Sequence, residues 1–558
     1  MQDQVRSRLK NASLEKSTGR HNAALESIRM RRNVLTRRLF LGASALAPFA
    51  GFAARTRKRA ASPHPRVEQV YRARVRAAEL ERDRPKYEHK TNGDEERFPR
   101  KWGSYSKGLP HSATGEVDAK AYATYVRAIE TREERLYEQI PLGGYLKLAN
   151  PQAAYAIDLI GPDALSLPLR TPPSIASTEF VGELAEMYWH ALLRDVPFAD
   201  YETNPLVQHA CAELSALHDF SGPRQDGNVT PATLFRGVSA AARRGPYVSQ
   251  FLLRDIPMTP IRVPQKIRTA VPGRDYVTGV DEWLNIQNGQ LSTVNTFEDT
   301  PRYIRTGRDL GEYVHRDYTY QAALGACLML LRMSAPLDGG IPSHYSITQS
   351  GFVTYGAADI FHLVAAVANL ALKSAWYQKW IVHRRARPEE AGGRLHFHIT
   401  GKGESGFHAD ALRLDAVKVA HDRWGTYLLP QAYPEGAPSH PSYPAGHAVF
   451  AGACMTMLKA CFAESWVLPN SVVPNRDGSA LEPYRGPELT VGGELDKLAE
   501  NIAIARNFAG VHWRSDGIEG LYLGEAYALG YLEEMKITAN EFFTGFSITK
   551  FDGTRVTR

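Results

Sequence analysis

Apolar positions recur at helical spacing through most of this chain. From about residue 120 onward they fall at i, i+3, i+4 and i+7, which predicts amphipathic helices over 121–139, 181–194, 310–333, 357–385, 447–463 and 495–508. Stretches rich in Pro and Gly, 254–273 and 468–492, read as the loops between them. The C-terminal run around Asp552-Gly553 reads as a hairpin over 546–556. Residues 55–115 lack the helical pattern and carry turn residues such as Thr91-Asn92-Gly93-Asp94, which predicts an irregular arm over the surface. No internal repeat interrupts the chain. The expected fold is mainly α: helix bundles with two four-helix-bundle type cores, an irregular N-terminal arm and small β-hairpins. The expected divisions are a leader over 1–60, the arm over 61–115 and a helical domain over 116–558.

Composition changes this picture in one place. The chain is 558 residues long, 43% hydrophobic, and carries a formal charge of +7. Residues 1–60 hold 14 Lys/Arg against 3 Asp/Glu, a net +11, so the remaining chain is +7 − 11 = −4. The basicity belongs to the leader, and the folded body offers no electrostatic reason to bind nucleic acid. Within the leader, Thr36-Arg37-Arg38-Leu39-Phe40-Leu41 opens an apolar run of 16 residues to Ala54, closed by Arg55-Thr56-Arg57-Lys58-Arg59. That grammar resembles a twin-arginine export signal and implies a periplasmic or extracellular location. The run is short for a span, which takes about 20 residues, and no other segment reads as an integral membrane helix. The 4 cysteines, Cys211, Cys327, Cys454 and Cys461, contain no CxxC pair, so they read as buried free thiols.

Three short segments concentrate the chemistry. The first holds Trp376, Lys379 and Arg387-Pro388; Pro388 is expected to end the helix, and the eight-residue offset places Lys379 and Arg387 roughly 80° apart around it. The second is His440-Pro441-Ser442-Tyr443-Pro444-Ala445-Gly446-His447, immediately ahead of an apolar helix. Gly446 permits close backbone approach, and the N–H groups that open the helix point at an anion. The third is Arg506-Asn507-Phe508-Ala509-Gly510-Val511-His512, in which Gly510 breaks the helix so that Arg506 and His512 face one pocket; Asp516, four residues on, can orient the imidazole. Each segment alone also reads as ordinary structure: a solvated basic helix end, a capped helix, a buried Arg–Asp–His cluster. Together they supply fixed cations, a nitrogen ligand or nucleophile and an acid–base group. That set suits a tetrahedral oxyanion.

The order Lys…Arg-Pro, Pro-x-Gly-His, Arg-x5-His-x3-Asp resembles the pattern shared by vanadium-dependent haloperoxidases and the type-2 phosphatidic-acid and acid phosphatases. Flanking segments such as 379–388, 440–447, 185–189, 192–198 and 245–251 look like vanadium bromoperoxidases, from about residue 90 to the end. The resemblance implies that His512 ligates the vanadium of a vanadate cofactor. It implies that Lys379, Arg387, Arg506 and the Gly446 N–H neutralise the other oxygens, and that His447 is the acid–base group toward hydrogen peroxide. His440 matches a second histidine of bromoperoxidases, and Trp376 an aromatic of some members; both are placed to tune halide choice. Asp317 is a candidate partner of Arg506. Hydrogen peroxide, bromide or iodide and an organic halogen acceptor are the partners it implies. Relatives are often homo-oligomers, some with structural calcium. This chain departs from the family at Ala445, where many members carry Ser; the missing hydroxyl removes a contact worth about 1 kcal/mol and disfavours chloride as substrate. Two other readings stay open on the sequence: a phosphatase with His512 as nucleophile, and an oxyanion-binding protein with little turnover.

Overall fold

The computed structural model describes residues 64–290 and 293–558. The twin-arginine-like segment and its apolar run lie outside the described residues. Backbone contacts divide the chain after Glu68, inside its first described helix, and the second unit, Gln69–Arg558, carries the helical body and the site.

Thirteen helices of seven residues or more carry the fold of the described residues: α1 (Pro65–Asp83), α2 (Ala119–Thr131), α3 (Thr178–Leu193), α4 (Pro205–Ala216), α5 (Val280–Gln287), α6 (Gly307–Tyr313), α7 (Gln321–Arg332), α8 (Ala357–Tyr377), α9 (Pro388–Ile399), α10 (Asp415–Trp424), α11 (Gly446–Cys461), α12 (Val491–Phe508) and α13 (Arg514–Thr538). Three antiparallel hairpins are small: β1 (Ile256–Met258) with β2 (Ile261–Val263), β3 (Val472–Pro474) with β4 (Leu481–Pro483), and β5 (Ser547–Thr549) with β6 (Arg555–Thr557). The last turns at Asp552-Gly553, as its sequence predicts.

Helices α8, α11, α12 and α13 pack as a bundle with α11 at its centre. Every residue of α11 except His447 is buried, the signature of a helix that is apolar all round. Glycines set the α11–α13 distance. A Cβ on Gly524 would lie 2.0 Å from the Val449 carbonyl, and one on Gly452 would lie 2.4 Å from that of Leu521. This close approach brings the first turn of α13 beside the start of α11, where Ala445 N donates to the Asp516 carbonyl at 2.9 Å. Helices α3 and α6 pack on α12, and α4 and α10 on α3.

Three expectations change. The irregular arm contains α1, a 19-residue helix rich in Arg, Ala and Glu, none of whose residues is buried; local propensity rather than an amphipathic face makes it helical. The predicted helix over 310–333 is two, broken between Tyr313 and Gln321. The predicted helix over 357–385 leaves α-geometry at Tyr377 for a π-helical turn, Gln378–His383, and ends on Arg384 in the left-handed region at φ 39°. Pro388 does not end that helix; it is the first residue of α9, where its missing N–H costs nothing. Among the described residues one helical stretch, Ala357–His383, is long and apolar enough to cross a membrane; it is the bundle helix α8 with its π turn.

Candidate active site

Helix α12 ends at Phe508, and Gly510 at φ +87° turns the chain so that Val511 N closes back on the Arg506 carbonyl at 3.1 Å. His512 lies in this turn and Asp516 in the first turn of α13. The His512 Nδ1 is 2.9 Å from Asp516 Oδ2. The same carboxylate accepts from Trp513 N at 2.9 Å, from Arg385 Nη1 at 2.8 Å and from Ser442 Oγ. On the far side of the ring, Nε2 is 2.9 Å from Arg387 Nη1. A guanidinium only donates, so Nε2 offers its lone pair and Nδ1 carries the proton toward Asp516. Burial, together with the charges of Arg387, Lys379 and Arg506, holds the His512 pKa far below the ordinary range and keeps the ring neutral. A buried neutral imidazole with its Nε2 lone pair turned into a cationic pocket is what a metal ligand or a nucleophile requires.

Three cations surround it, each no more than 3% exposed. Lys379, in the π turn, donates to the carbonyls of Pro441 at 2.8 Å and Ser442 at 2.7 Å. Arg387 donates through Nε to the His440 carbonyl at 2.9 Å and through Nη1 to that of Val511 at 2.8 Å. Arg506 donates to the Val314 carbonyl at 2.9 Å, and its buried Nε has no partner. Among the described residues, no carboxylate makes an ion pair with any of the three. Burial and the neighbouring guanidinia push Lys379 far below the usual lysine range; burial lowers Arg387 to about 10.

Helix α11 starts at Gly446, and its N-cap, Ala445, has no side chain to cap the first-turn N–H groups. The adjacent His447 Nε2 is 2.9 Å from Asp317 Oδ1. The carboxylate fixes the proton on Nε2 and leaves Nδ1 as the basic atom. Burial and Arg506 lower the His447 pKa, while Asp317 opposes them. His440 accepts from Arg387 Nη2 at Nδ1, 3.0 Å, and its ring lies 4.9 Å from that of Trp376. Burial and the Arg387 and Lys379 charges keep His440 neutral.

All the residues expected from the sequence therefore converge: Lys379, Arg387, His440, Gly446, His447, Arg506 and His512. Two details differ. Asp317 pairs with His447, not Arg506, whose guanidinium reaches the Val314 carbonyl and Tyr433 instead. Lys379 and Arg387 do not share a helix face; the π turn and the left-handed Arg384 bring them together. Sequence reading missed Arg385, which bridges Asp516 and Glu183 at 2.8 and 2.7 Å, and the carbonyls of Pro441 and Ser442 that hold Lys379. The basic run around Arg385 is visible in the sequence; nothing in it singles out which arginine finds a carboxylate.

Uncompensated buried cations, an orphaned Arg506 Nε, uncapped helix N–H groups and a neutral imidazole whose Nε2 lone pair faces the Arg387 guanidinium fit a tetrahedral oxyanion bound to the protein through His512 alone. Among the described residues no group of three or more His, Cys, Asp or Glu converges as a conventional metal site.

Known proteins are similar to this chain in sequence and fold. The family model described as the VCPO second helical-bundle domain matches residues 359–540. A vanadium-dependent bromoperoxidase of Ascophyllum nodosum is 37% identical over 526 residues, 88% of this chain and 94% of that protein. One from Corallina officinalis is 34% identical, covering 88% of this chain and 98% of the relative. Among solved structures, the homohexameric second vanadate-dependent bromoperoxidase of Ascophyllum nodosum superposes with a TM-score of 0.83 at 31% identity, covering 92% of this chain and 94% of that one. Fold and site together define the haloperoxidase class of helical bundle. Within it, the chain belongs to the vanadium-dependent bromoperoxidase family.

Proposed function

We propose that this chain uses vanadate to oxidise bromide, or iodide, with hydrogen peroxide, releasing hypohalous acid that halogenates organic acceptors. The observation that carries this is the buried trio Lys379, Arg387 and Arg506, none with a carboxylate, around the His512 ring, whose Nε2 lone pair meets the Arg387 guanidinium. Bound vanadate supplies a Lewis acid that polarises peroxide without changing oxidation state. His512 would hold the metal through Nε2, with Asp516 keeping the ring's tautomer and orientation. Lys379, Arg387 and Arg506 would neutralise its oxygens, and the Gly446 N–H would add a dipole at the start of α11. His447, neutral and held through Nε2 by Asp317, takes a proton from hydrogen peroxide at Nδ1. His440 and Trp376 stand together beside Arg387 and are the candidates to tune halide choice. Ala445 in place of Ser favours bromide and iodide over chloride.

The homohexameric relative supports a homo-oligomer, to be read from the mass in solution. Structural calcium is an expectation from the family, with no residues assigned to it. Export rests on the leader sequence alone, and a reporter fused to residues 1–60 tests it. The test of function is bromination of a phenol-type dye by purified protein with hydrogen peroxide and bromide, before and after vanadate, beside His512→Ala. Vanadate-restored activity that the variant lacks is expected. Turnover of p-nitrophenyl phosphate without halide oxidation would favour the phosphatase, and silence in both assays the binding protein.

A further inference from the structure

Behind Arg506 lies a ring pair that takes no part in the oxidation chemistry. The His315 and Tyr433 rings stack face to face, with centroids 3.8 Å apart and planes 1° from parallel. Tyr433 faces the site: the Arg506 guanidinium carbon is 5.4 Å from its ring centre, and Arg506 Nη1 is 3.4 Å from its hydroxyl. His315 faces away from the site, between two carboxylates. Its Nε2 is 2.7 Å from Glu435 Oε1 and its Nδ1 is 3.3 Å from Glu312 Oε2. Both ring nitrogens have acceptors, so both carry protons. Burial opposes that charge, but the two carboxylates outweigh it and hold the His315 pKa above its ordinary value.

The stack fastens one short segment of chain. Gly311 accepts the Tyr433 hydroxyl at 2.5 Å. Val314 accepts Arg506 Nη1 at 2.9 Å, and Asp317 holds His447 at 2.9 Å. Residues 311–317 therefore present a backbone acceptor to one candidate anion-binding group and a carboxylate to the candidate base. That segment runs from the last turn of α6 into the break before α7, with no regular structure after Tyr313 to stiffen it. The loop that carries Tyr433 and Glu435 is itself tied to the end of α12 by Ala432 N on the Ala509 carbonyl at 3.0 Å. The contacts that set Arg506 and His447 thus meet at His315.

We propose that His315 and Tyr433 are positioning residues: a stacked pair that fixes the 311–317 segment, and through it both the Arg506 guanidinium and the Asp317–His447 pair. This rests on the proposed roles of Arg506 in binding the anion and of His447 as the base. A purely structural ion pair would affect stability alone. A positioning pair couples two readouts that are otherwise independent, oxyanion affinity through Arg506 and the pH dependence of turnover through His447.

The test uses the full-length protein, His315→Gln, Tyr433→Leu and Tyr433→Phe. Vanadate and inorganic phosphate affinities are measured by calorimetry, the pH profile of bromide oxidation by steady-state kinetics, and folding by melting temperature. His315→Gln keeps one hydrogen bond but loses the stack and the charge. It is expected to weaken vanadate binding about tenfold, the usual scale for removing an outer support, and to shift the acid limb of the pH profile as well. Tyr433→Leu should do the same; Tyr433→Phe keeps the ring and should bind within about threefold of the parent. Variants that fold and show parental affinity with an unshifted acid limb would overturn the proposal, as would a fall in melting temperature alone. Should Tyr433→Leu fail to fold, His315→Gln and Tyr433→Phe carry the same comparison. A parent protein that binds neither vanadate nor phosphate would instead overturn the functional reading on which this rests.

Discussion

Two sets of buried cations occupy this molecule, and they differ in what faces them. Arg385 lies between Glu183 and Asp516 at 2.7 and 2.8 Å. Arg514 donates to Glu186 at 2.7 Å, and Arg308 is held by Asp275 at 2.7 Å with Asp195 beside it. Burial lowers the pKa of each, but the carboxylates more than offset it and leave all three raised. Lys379 and Arg387 are as deeply buried, face carbonyls and neutral imidazoles rather than carboxylates, and have lowered pKa values. Among these five the depth is the same and the sign opposite, so the counter-charge separates them, although at Lys107, Lys497 and Arg194 burial still outweighs a neighbouring carboxylate. Arg385 and Arg514 tie α3 to the start of α13, and Arg308 ties α6 to Asp195 and Asp275; the unpaired ones keep an electrostatic debt that an external anion settles.

The comparison breaks most visibly on the paired side. Arg514→Met leaves Glu186 buried without its partner, and removing one half of a buried pair costs about 3–5 kcal/mol. The melting temperature should fall, and saturating vanadate should not restore the difference between variant and parent. Arg506→Leu should behave in the opposite way. With no carboxylate left unpaired, the anion-free protein should melt at or above the parent. The stabilisation conferred by vanadate at 100 times its Kd, about 2.7 kcal/mol in the parent, should largely vanish. An Arg506→Leu protein that is destabilised when anion-free yet still stabilised by vanadate would abolish the distinction between the two sets.

Lys379 sharpens the same contrast through pH. Burial and neighbouring cations lower its pKa in the anion-free protein. An anion favours the charged ammonium and raises the pKa again. Binding therefore takes up protons, and affinity falls as pH rises through the lowered value. Calorimetry of phosphate binding in two buffers of different ionisation enthalpy measures that uptake directly. Lys379→Met should reduce it; no uptake in the parent would mean that the ammonium is already charged.

Much of this site is legible in the sequence because short motifs carry it. Gly446-His447 opens a helix, and Gly510 breaks one between Arg506 and His512; both features depend on local backbone rules that survive in sequence. The convergence of Lys379 with Arg387 is legible too, but the helical wheel gives the wrong reason for it. A wheel assumes 3.6 residues per turn, and the π turn over Gln378–His383 does not obey it. Asp317 stands out as a candidate, yet its sequence context points to Arg506. Its contact with His447 spans 130 residues and is set by how the α6–α7 connection lies on α11. The N-terminal arm reads as irregular because its apolar spacing is weak, whereas Arg, Ala and Glu make α1 a helix without a buried face. The roles of Glu183, Tyr433 and His315 depend on tertiary pairing alone and leave no local signal.

The smallest expected effect concerns Ala445, which sits at the N-cap of α11 with extended backbone at φ −68° and ψ 120° and no side-chain hydrogen bond. Serine is among the preferred residues at this position. Its oxygen can accept a first-turn N–H while its hydrogen donates elsewhere, so one substitution touches both terms of the comparison. Ala445→Ser should raise the melting temperature of the anion-free protein through the cap. If the hydroxyl also reaches the anion, vanadate affinity should rise about fivefold, the equivalent of a hydrogen bond worth about 1 kcal/mol. Calorimetry beside a melting curve separates the two effects. Higher stability with unchanged affinity would mean that the hydroxyl serves the helix alone. The three cations would then balance the anion without it, and Ala445 would be no handicap to turnover.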